Sequence, residues 1–153
     1  MVEKKLAQRP ALVPRAHLGH VDTQAVRLPF EDGSFDYVVC VSVLSLLSSR
    51  ERVSWLLREF ARVLKPGARA ILDINGPTSD FAAKGTAIGG DVYEYRGDGA
   101  HWTAPVRCYC PKDEAAFGSL LAPLFTVDEI GYAGHRYRGS EIYEFIACVR
   151  KPA

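Results

Sequence analysis

Residues 37–74 carry a strand–helix–strand pattern that leaves few folds open. Tyr37–Val41 is an uninterrupted apolar run rich in β-branched residues, which is typical of a strand covered on both faces. Ala68–Ile74 is a second run of the same kind. Two such strands joined through a helix by short turns lie parallel, with a right-handed crossover. The pattern therefore predicts an α/β fold with a Rossmann-like, mostly parallel sheet.

The helix between these strands has a predicted start and a predicted end. Ser48 and Glu51 have the spacing of a capping box, with Ser48 as the N-cap. Pro66 and Gly67 are residues that end a helix. One apolar stripe at helical spacing covers the side that faces the sheet, formed by Val53, Leu56, Leu57, Phe60, Ala61 and Leu64.

The rest of the chain adds shorter elements to the predicted sheet. Ala16–Val21 is a candidate extended segment, and Gly76–Gly99 is a glycine-rich loop with a short strand near Val92–Tyr95. Phe125–Tyr132 and Glu141–Val149 are the last two strands, which the polar segment 133–140 joins into an antiparallel hairpin at the edge of the sheet. Two further elements are predicted between the loop and the hairpin: an extended segment at Val106–Cys110 and a helix that starts at Pro111.

Length and composition set the class of protein. The 153 residues are enough for one domain and too few for two. Nineteen basic and eighteen acidic residues give a net charge of +1, which predicts neither nucleic-acid nor membrane binding. The charged N-terminus lacks a signal sequence and no apolar run reaches the roughly 18 residues of a membrane helix, so we expect a cytoplasmic protein with four free cysteine thiols.

Two stretches of the chain are similar to a known family. Residues 21–39, which include Leu28-Pro29-Phe30 and Ser34-Phe35-Asp36, resemble the D-A-x-x-L-P-F-x-D-x-S-F-D stretch of class I S-adenosylmethionine-dependent methyltransferases. Residues 58–68, from Arg58 to Ala68, resemble the E-x-x-R-V-L-K-P-G-G stretch of the same family. Both stretches occur in the family's order and spacing, as in its UbiE-like, type 11 small-molecule group. The resemblance implies a methyltransferase fold from Met1 onward and S-adenosylmethionine as the cofactor.

One part of the family's pattern is missing from this sequence. The family begins with a strand, a G-x-G-x-G turn and a helix, followed by a strand that ends in an acidic residue; the glycines let the backbone approach the cofactor. The glycine pairs here, Gly89-Gly90 and Gly97 with Gly99, lie in the middle loop instead. We therefore expect the C-terminal two-thirds of such a domain, a truncated or remnant form with weak or absent cofactor binding. A fragment of an active enzyme and a non-catalytic binding or assembly module are the alternatives.

The resemblance also implies site residues. Asp22 and Thr23 stand where the family hydrogen-bonds the adenine, although Asp22 is equally a residue that caps a turn. Val41, Ser42 and Leu44 follow the strand at Tyr37–Val41, at the carboxyl edge where α/β sheets bind ligands. Three neighbouring residues are expected in the core: Val43, Leu46 and Leu47.

No catalytic residue is evident in the sequence. His101 is a weak candidate for a general base because it lies in the loop that covers the substrate in this family, and a solvated loop histidine is the alternative. No metal site is predicted, because His17 and His20 cannot point to the same face of a strand. Cys108 and Cys110 are interpreted as packing thiols.

Two kinds of partner are expected. A small-molecule methyl acceptor, if the chain is active, would be selected by the variable segment Gly76–Cys110. The missing family strands would leave an open sheet edge at Tyr37–Val41, where a second copy of the chain or a partner chain can pair. No nucleic-acid or membrane partner is expected.

Overall fold

A strand–helix–strand unit organises the fold, as the sequence predicts. The structure is a computed structural model that describes residues 7–16, 18–22, 25–97, 104–137 and 139–153. Strand β1 (Phe35–Cys40) leads through helix α1 (Arg50–Val63) into strand β2 (Leu64–Asn75). The two strands are parallel, with Val38 opposite Ala70. This parallel pair confirms the predicted α/β class.

Both ends of α1 differ from the sequence expectation. The N-cap is Ser49, which has an extended backbone and whose Oγ accepts the Arg52 N–H at 3.3 Å. Ser48 cannot cap the helix because its φ of +31° lies in the left-handed region. The helix stops at Val63, so Pro66 and Gly67 lie inside β2 rather than at the helix end.

Two further strands complete a four-stranded sheet. Strand β6 (Thr126–Tyr137) and strand β7 (Ser140–Arg150) form the predicted antiparallel hairpin, and β7 also pairs antiparallel to β2, which gives the order β1–β2–β7–β6. The hairpin is longer than predicted. Most of the segment 133–140, expected as a polar connection, is paired, because Tyr137 lies opposite Ser140.

The part of the chain between β2 and the hairpin forms a smaller, separate antiparallel sheet. It contains β3 (Thr86–Gly89), β4 (Val92–Tyr95) and β5 (Val106–Tyr109), of which β4 and β5 match the predicted extended segments. Helix α2 (Asp80–Ala83) and strand β3 fall in the segment predicted as a loop.

The remaining helices are short. Helix α3 (Glu114–Leu121) begins after Asp113, whose Oδ1 accepts the Ala116 N–H at 2.7 Å, so its start lies three residues beyond the predicted Pro111. Two 3-10 helices cover Pro10–Arg15 and Leu44–Leu46. No strand is assigned in the described part of Ala16–Val21, so that prediction was wrong. None of the described helices has the length and apolar character needed to cross a membrane.

One face of the large sheet forms the core. The inward residues of β2 are Ala70, Leu72 and Ile74, and they join side chains of α1 and α3. The opposite face of β1 is exposed, with Val39 64% accessible. The prediction that this strand is covered on both faces was therefore wrong for the described part of the chain. A continuous apolar run shows that burial is favourable, but it does not identify what covers each face.

Candidate functional site

The carboxyl ends of β1 and β2 meet at one edge of the sheet, which is where open α/β sheets bind ligands. Ser42 follows β1, and Asp73 lies near the end of β2. The Ser42 N–H donates to Asp73 Oδ1 at 2.7 Å. Ser42 has a φ of +58°, a conformation that costs energy for a residue with a Cβ. The Asp73 carboxylate thus holds a strained turn at this edge.

Two buried carboxylates lie near each other at this edge, on the neighbouring strands β2 and β7. Asp73 is 3% exposed, and burial raises its pKa, with the Ser42 N–H acting in the opposite direction. Glu144, on β7, is 9% exposed, and burial raises its pKa as well. The charge of Asp73 raises the pKa of Glu144 further, whereas His135 on β6 lowers it. Both groups are therefore more easily protonated than a carboxyl in water.

Asn75 and Ser45 tie the loop after β1 to the end of β2. Ser45 Oγ accepts the Asn75 backbone N–H at 2.7 Å and the Asn75 Nδ2–H at 3.1 Å. The other amide atom, Asn75 Oδ1, is buried and has no hydrogen-bond partner. An acceptor in this state is uncommon in folded proteins, and it suggests that a donor is missing.

The structure divides the residues predicted to follow β1. Val41 and Ser42 are exposed directly after β1, at the carboxyl edge of the sheet, and their role in cofactor binding stays a prediction. Leu44 is fully buried in the main core, so its side chain packs there. Val43 and Leu46, expected in the core, are exposed instead. The 3-10 helix that starts at Leu44 directs these side chains outward. This helix was not predicted from the sequence.

Asp22 lies in an exposed segment without regular structure, so it does not end a strand. Its carbonyl oxygen accepts the Ala25 N–H at 2.9 Å. Thr23, His17 and His101 lie outside the described residues. The roles predicted for Asp22, Thr23 and His101 remain predictions.

Asp73, Asn75 and Glu144 were not identified from the sequence. A signal was available for two of them, because Asp73 and Asn75 are polar residues at the end of an apolar, buried strand. Such residues carry an energetic cost unless they have a partner or a function. Glu144 gave no such signal, because only the register between β2 and β7 places it opposite Asn75.

The two motif stretches contact each other directly. Glu59 Oε2 accepts the Leu28 N–H at 2.6 Å and an Arg62 N–H at 2.7 Å. Arg62 also donates to the carbonyl oxygens of Phe30 and Leu28, at 2.8 and 3.1 Å. The Arg62 hydrogen bond lowers the pKa of Glu59. The motif residues of α1 therefore brace the loop before β1, which is a structural role.

The four cysteines are free, and three of them are buried. Cys108 and Cys110 are buried, as their prediction as packing thiols requires, and burial raises the pKa of each to about 12. Cys40 behaves in the same way. Within the described ranges, no group of three histidine, cysteine or acidic side chains lies close enough to hold a metal ion.

The positions of the glycines with left-handed backbones show whether the described residues contain a glycine turn like the one that binds S-adenosylmethionine in the similar family. In the described residues, they occupy the approach to β1, the interior of β2, the end of β3 and the turn after it, the segment after β4, and the turn between β6 and β7. None of them lies in a turn that joins a strand to a helix. The carboxyl edge of β1 is thus present, but the described residues offer no glycine bed like that of the family.

Comparisons with known proteins agree with the resemblance. Residues 1–72 match the family model described as a methyltransferase domain. The ubiquinone/menaquinone biosynthesis C-methyltransferase UbiE of Hahella chejuensis is 38% identical over 76 residues, which are 49% of this chain and 28% of that protein. A second curated relative, from Encephalitozoon cuniculi, is matched over 37% of its own length. The aligned part thus spans little more than a third of these relatives at most.

Solved structures share the fold over almost the whole chain. A SAM-dependent methyltransferase of Methanosarcina mazei superposes with a TM-score of 0.71 at 22% identity, covering 97% of this chain and 76% of that one. The 1,6-didemethyltoxoflavin-N1-methyltransferase of Burkholderia thailandensis, solved with S-adenosylhomocysteine, gives a TM-score of 0.62 at 17% identity, covering 98% and 56%. Identities at this level establish the fold alone.

Proposed function

We propose, on the premise that this chain is related to the class I S-adenosylmethionine-dependent methyltransferases, that it is a methyltransferase-like protein whose 153 residues bind the cofactor weakly or not at all by themselves. The observation that carries the proposal is the contrast at the site. Ser42 and Asp73 form the carboxyl edge of β1 and β2, whereas no stretch of the sequence reads G-x-G-x-G.

The size of the expected deficit follows from the missing contacts. Loss of a charge-assisted hydrogen bond from a carboxylate to the ribose hydroxyls removes on the order of 1.5–3 kcal/mol. Loss of a close backbone bed for the methionine half removes a comparable amount. Because affinity falls tenfold for about every 1.4 kcal/mol, the Kd rises by several powers of ten. We expect affinity in the millimolar range or weaker.

Calorimetric titration with S-adenosylhomocysteine tests this proposal. The product is chosen because it binds without reacting, and the titration is repeated at two temperatures so that a vanishing enthalpy cannot conceal binding. We expect no saturable heat at sub-millimolar ligand. A chain extended at its N-terminus by a glycine-rich strand–turn–helix unit is the matched comparison, and it should gain binding. Saturable sub-millimolar binding by the unextended chain would contradict the proposal and favour an active enzyme with a different cofactor loop.

A second candidate function is a non-catalytic assembly module that pairs with a second copy of the chain. The observation that favours it is the position of β1, which in the described part of the chain has a hydrogen-bonded neighbour on one side only. Tyr37, Val39 and Val41 are exposed on or next to this strand. An edge strand with apolar side chains and unpaired N–H and C=O groups is a template for another strand.

The oligomeric state tests the assembly module. We expect a dimer by size-exclusion chromatography with light scattering, and a monomer for Val39→Lys, which places a charge on the edge strand. Val26→Lys is the matched control, because Val26 is an apolar residue that is 85% exposed and lies away from β1. A wild-type chain that stays monomeric at high concentration would rule out this function.

A further inference from the structure

Three hydrogen-bond acceptors lie on one face of the sheet at the carboxyl end of β2. Asn75 is directly opposite Glu144 in the β2–β7 register, and Asp73 precedes Asn75 by two residues. Residues two apart on a strand, and residues opposite each other on neighbouring strands, project from the same face. Asp73 and Glu144 are thus diagonal neighbours, about 7–8 Å apart at Cα, and the three side chains form what we term the acceptor cluster.

The acceptor cluster has fewer hydrogen-bond donors than acceptors. Asp73 receives one hydrogen bond, from the Ser42 N–H, which leaves most of its acceptor capacity unused. Asn75 is 6% exposed, and its Oδ1 has no partner. Glu144 accepts no hydrogen bond from the described part of the chain. Asn75 Oδ1 is therefore buried without the donor that such burial requires, and two carboxylates with unused acceptor capacity lie beside it.

The chemistry of the missing partner follows from this deficit. Two carboxylates repel an anion and favour a cation, and the neighbouring amide oxygen of Asn75 requires a hydrogen-bond donor. A planar or tetrahedral nitrogen cation carries several N–H donors around one charge, so it can satisfy more than one acceptor at once. An alcohol carries one donor and no charge, and it satisfies the cluster less well.

We propose that the acceptor cluster of Asp73, Asn75 and Glu144 binds a cationic, hydrogen-bond-donating nitrogen group, such as an ammonium or amidinium. This assignment is independent of whether the chain binds S-adenosylmethionine. One consequence rests on the proposed methyltransferase relationship. If the chain is part of a methyltransferase, the bound nitrogen group belongs to the substrate that receives the methyl group, and this substrate is a nitrogen base.

The test uses small probes and needs no cofactor. Benzylamine and benzamidine are titrated into the ¹⁵N-labelled chain, with benzyl alcohol and benzamide as neutral counterparts of the same shape and Mg²⁺ as a cation without N–H donors. Amide chemical-shift changes in the heteronuclear NMR spectrum report both affinity and location. We expect saturable binding of the two cationic probes in the millimolar range, with shifts at Ser42, Asn75 and Glu144, and binding of the neutral probes weaker by roughly fivefold or more.

Three variants separate the acceptor cluster from general surface charge. Glu144→Gln and Asp73→Asn each remove one charge, and both should weaken benzamidine binding by roughly fivefold or more. Asp73→Asn preserves an oxygen that can accept the Ser42 N–H, so the turn should stay folded. Glu129→Gln is the matched control, because Glu129 is an exposed carboxylate on β6 near the other end of the sheet, and its affinity should equal that of the wild type.

Several outcomes would overturn the assignment: equal affinity for charged and neutral probes, tighter binding of Mg²⁺ than of the amines, or unchanged benzamidine binding in Glu144→Gln. The result is separable from the calorimetric test of the cofactor. Binding of the amines without detectable binding of S-adenosylhomocysteine supports both proposals. Binding of S-adenosylhomocysteine without a preference for the cationic probes over the neutral ones contradicts both.

Discussion

Arg62 and Asp32 join the two motif stretches across the start of the sheet. The Arg62 Nη1–H donates to Asp32 Oδ1 at 2.7 Å, and the hydrogen bond from Arg62 lowers the pKa of Asp32. The same guanidinium bonds Glu59, one turn earlier on α1, which in turn accepts the Leu28 N–H. The two stretches occur together because one supplies the loop and the other supplies the side chains that fix it.

Arg62→Met should lower the stability of the fold. The substitution keeps the length of the side chain but removes every hydrogen bond that this side chain makes to the loop, and it leaves the Glu59 carboxylate beside Leu28 without its guanidinium. We expect Tm to fall by roughly 5 °C in thermal unfolding followed by circular dichroism.

The control for that measurement lies on the same helix. Arg58→Met makes the same chemical change at an exposed position of α1. Its Tm should stay within about 1–2 °C of the wild type, as for an ordinary surface substitution. Equal losses in the two variants would show that the loss of a positive charge, rather than the brace, accounts for the effect.

Asp73→Asn should stabilise the chain at neutral pH. Burial raises the pKa of Asp73 in the folded state, so its contribution to stability is fully present below the unfolded pKa and is lost as pH rises through the folded pKa. Asparagine carries no charge to bury and can still accept the Ser42 N–H. We expect a urea midpoint higher by on the order of 0.3–0.5 M at pH 7.

The pH dependence distinguishes this cause from a packing effect. At pH 3, where Asp73 is largely protonated in both states, the midpoints of the wild type and of Asp73→Asn should converge. The charges of Asp73 and His135 both influence the pKa of Glu144, so the two carboxylates are electrostatically coupled. The comparison is therefore repeated in the Glu144→Gln background, where the effect of Asp73→Asn on the urea midpoint should be smaller. A stability gain that persists unchanged at pH 3 would exclude burial of the charge as its cause.

The contrast between α1 and the acceptor cluster marks the limit of what this sequence can predict. Helix α1 can be predicted from local sequence, because Val53, Leu56 and Leu57 recur with the period of a helix. The N-cap of α1 lies within one residue of the predicted Ser48. The partnership of Asn75 with Glu144 depends on a register between strands 69 positions apart in the chain, which no local pattern encodes. The burial of Leu44 in place of Val43 depends on one turn of 3-10 helix, which is too short to leave a periodic signal.

A single cysteine should react with Ellman's reagent in the native protein. Cys40, Cys108 and Cys110 are buried with pKa values raised to about 12, so thiolate is scarce at pH 8 and the reagent cannot reach them. Cys148 is partly exposed on the outer face of the sheet. We expect one fast equivalent, absent in Cys148→Ser, and all four in 6 M guanidinium chloride. Two or more fast equivalents would contradict the burial of the other three.

Gly85 lies where the backbone between α2 and β3 leaves no room for a side chain. A Cβ there would fall on the carbonyl oxygen of Phe81 and within 3.1 Å of the Tyr93 Cβ. Backbone cannot move aside as a flexible side chain can, so Gly85→Ala should cost about 2–3 kcal/mol in urea unfolding with an unchanged m-value. Gly131→Ala is the control, because no atom lies within 4 Å of its added Cβ and the residue is in β6, where alanine is favoured over glycine. Gly131→Ala should leave the free energy of unfolding unchanged or raise it slightly. An unchanged free energy of unfolding in Gly85→Ala would show that the connection between α2 and β3 follows a different path from the one described.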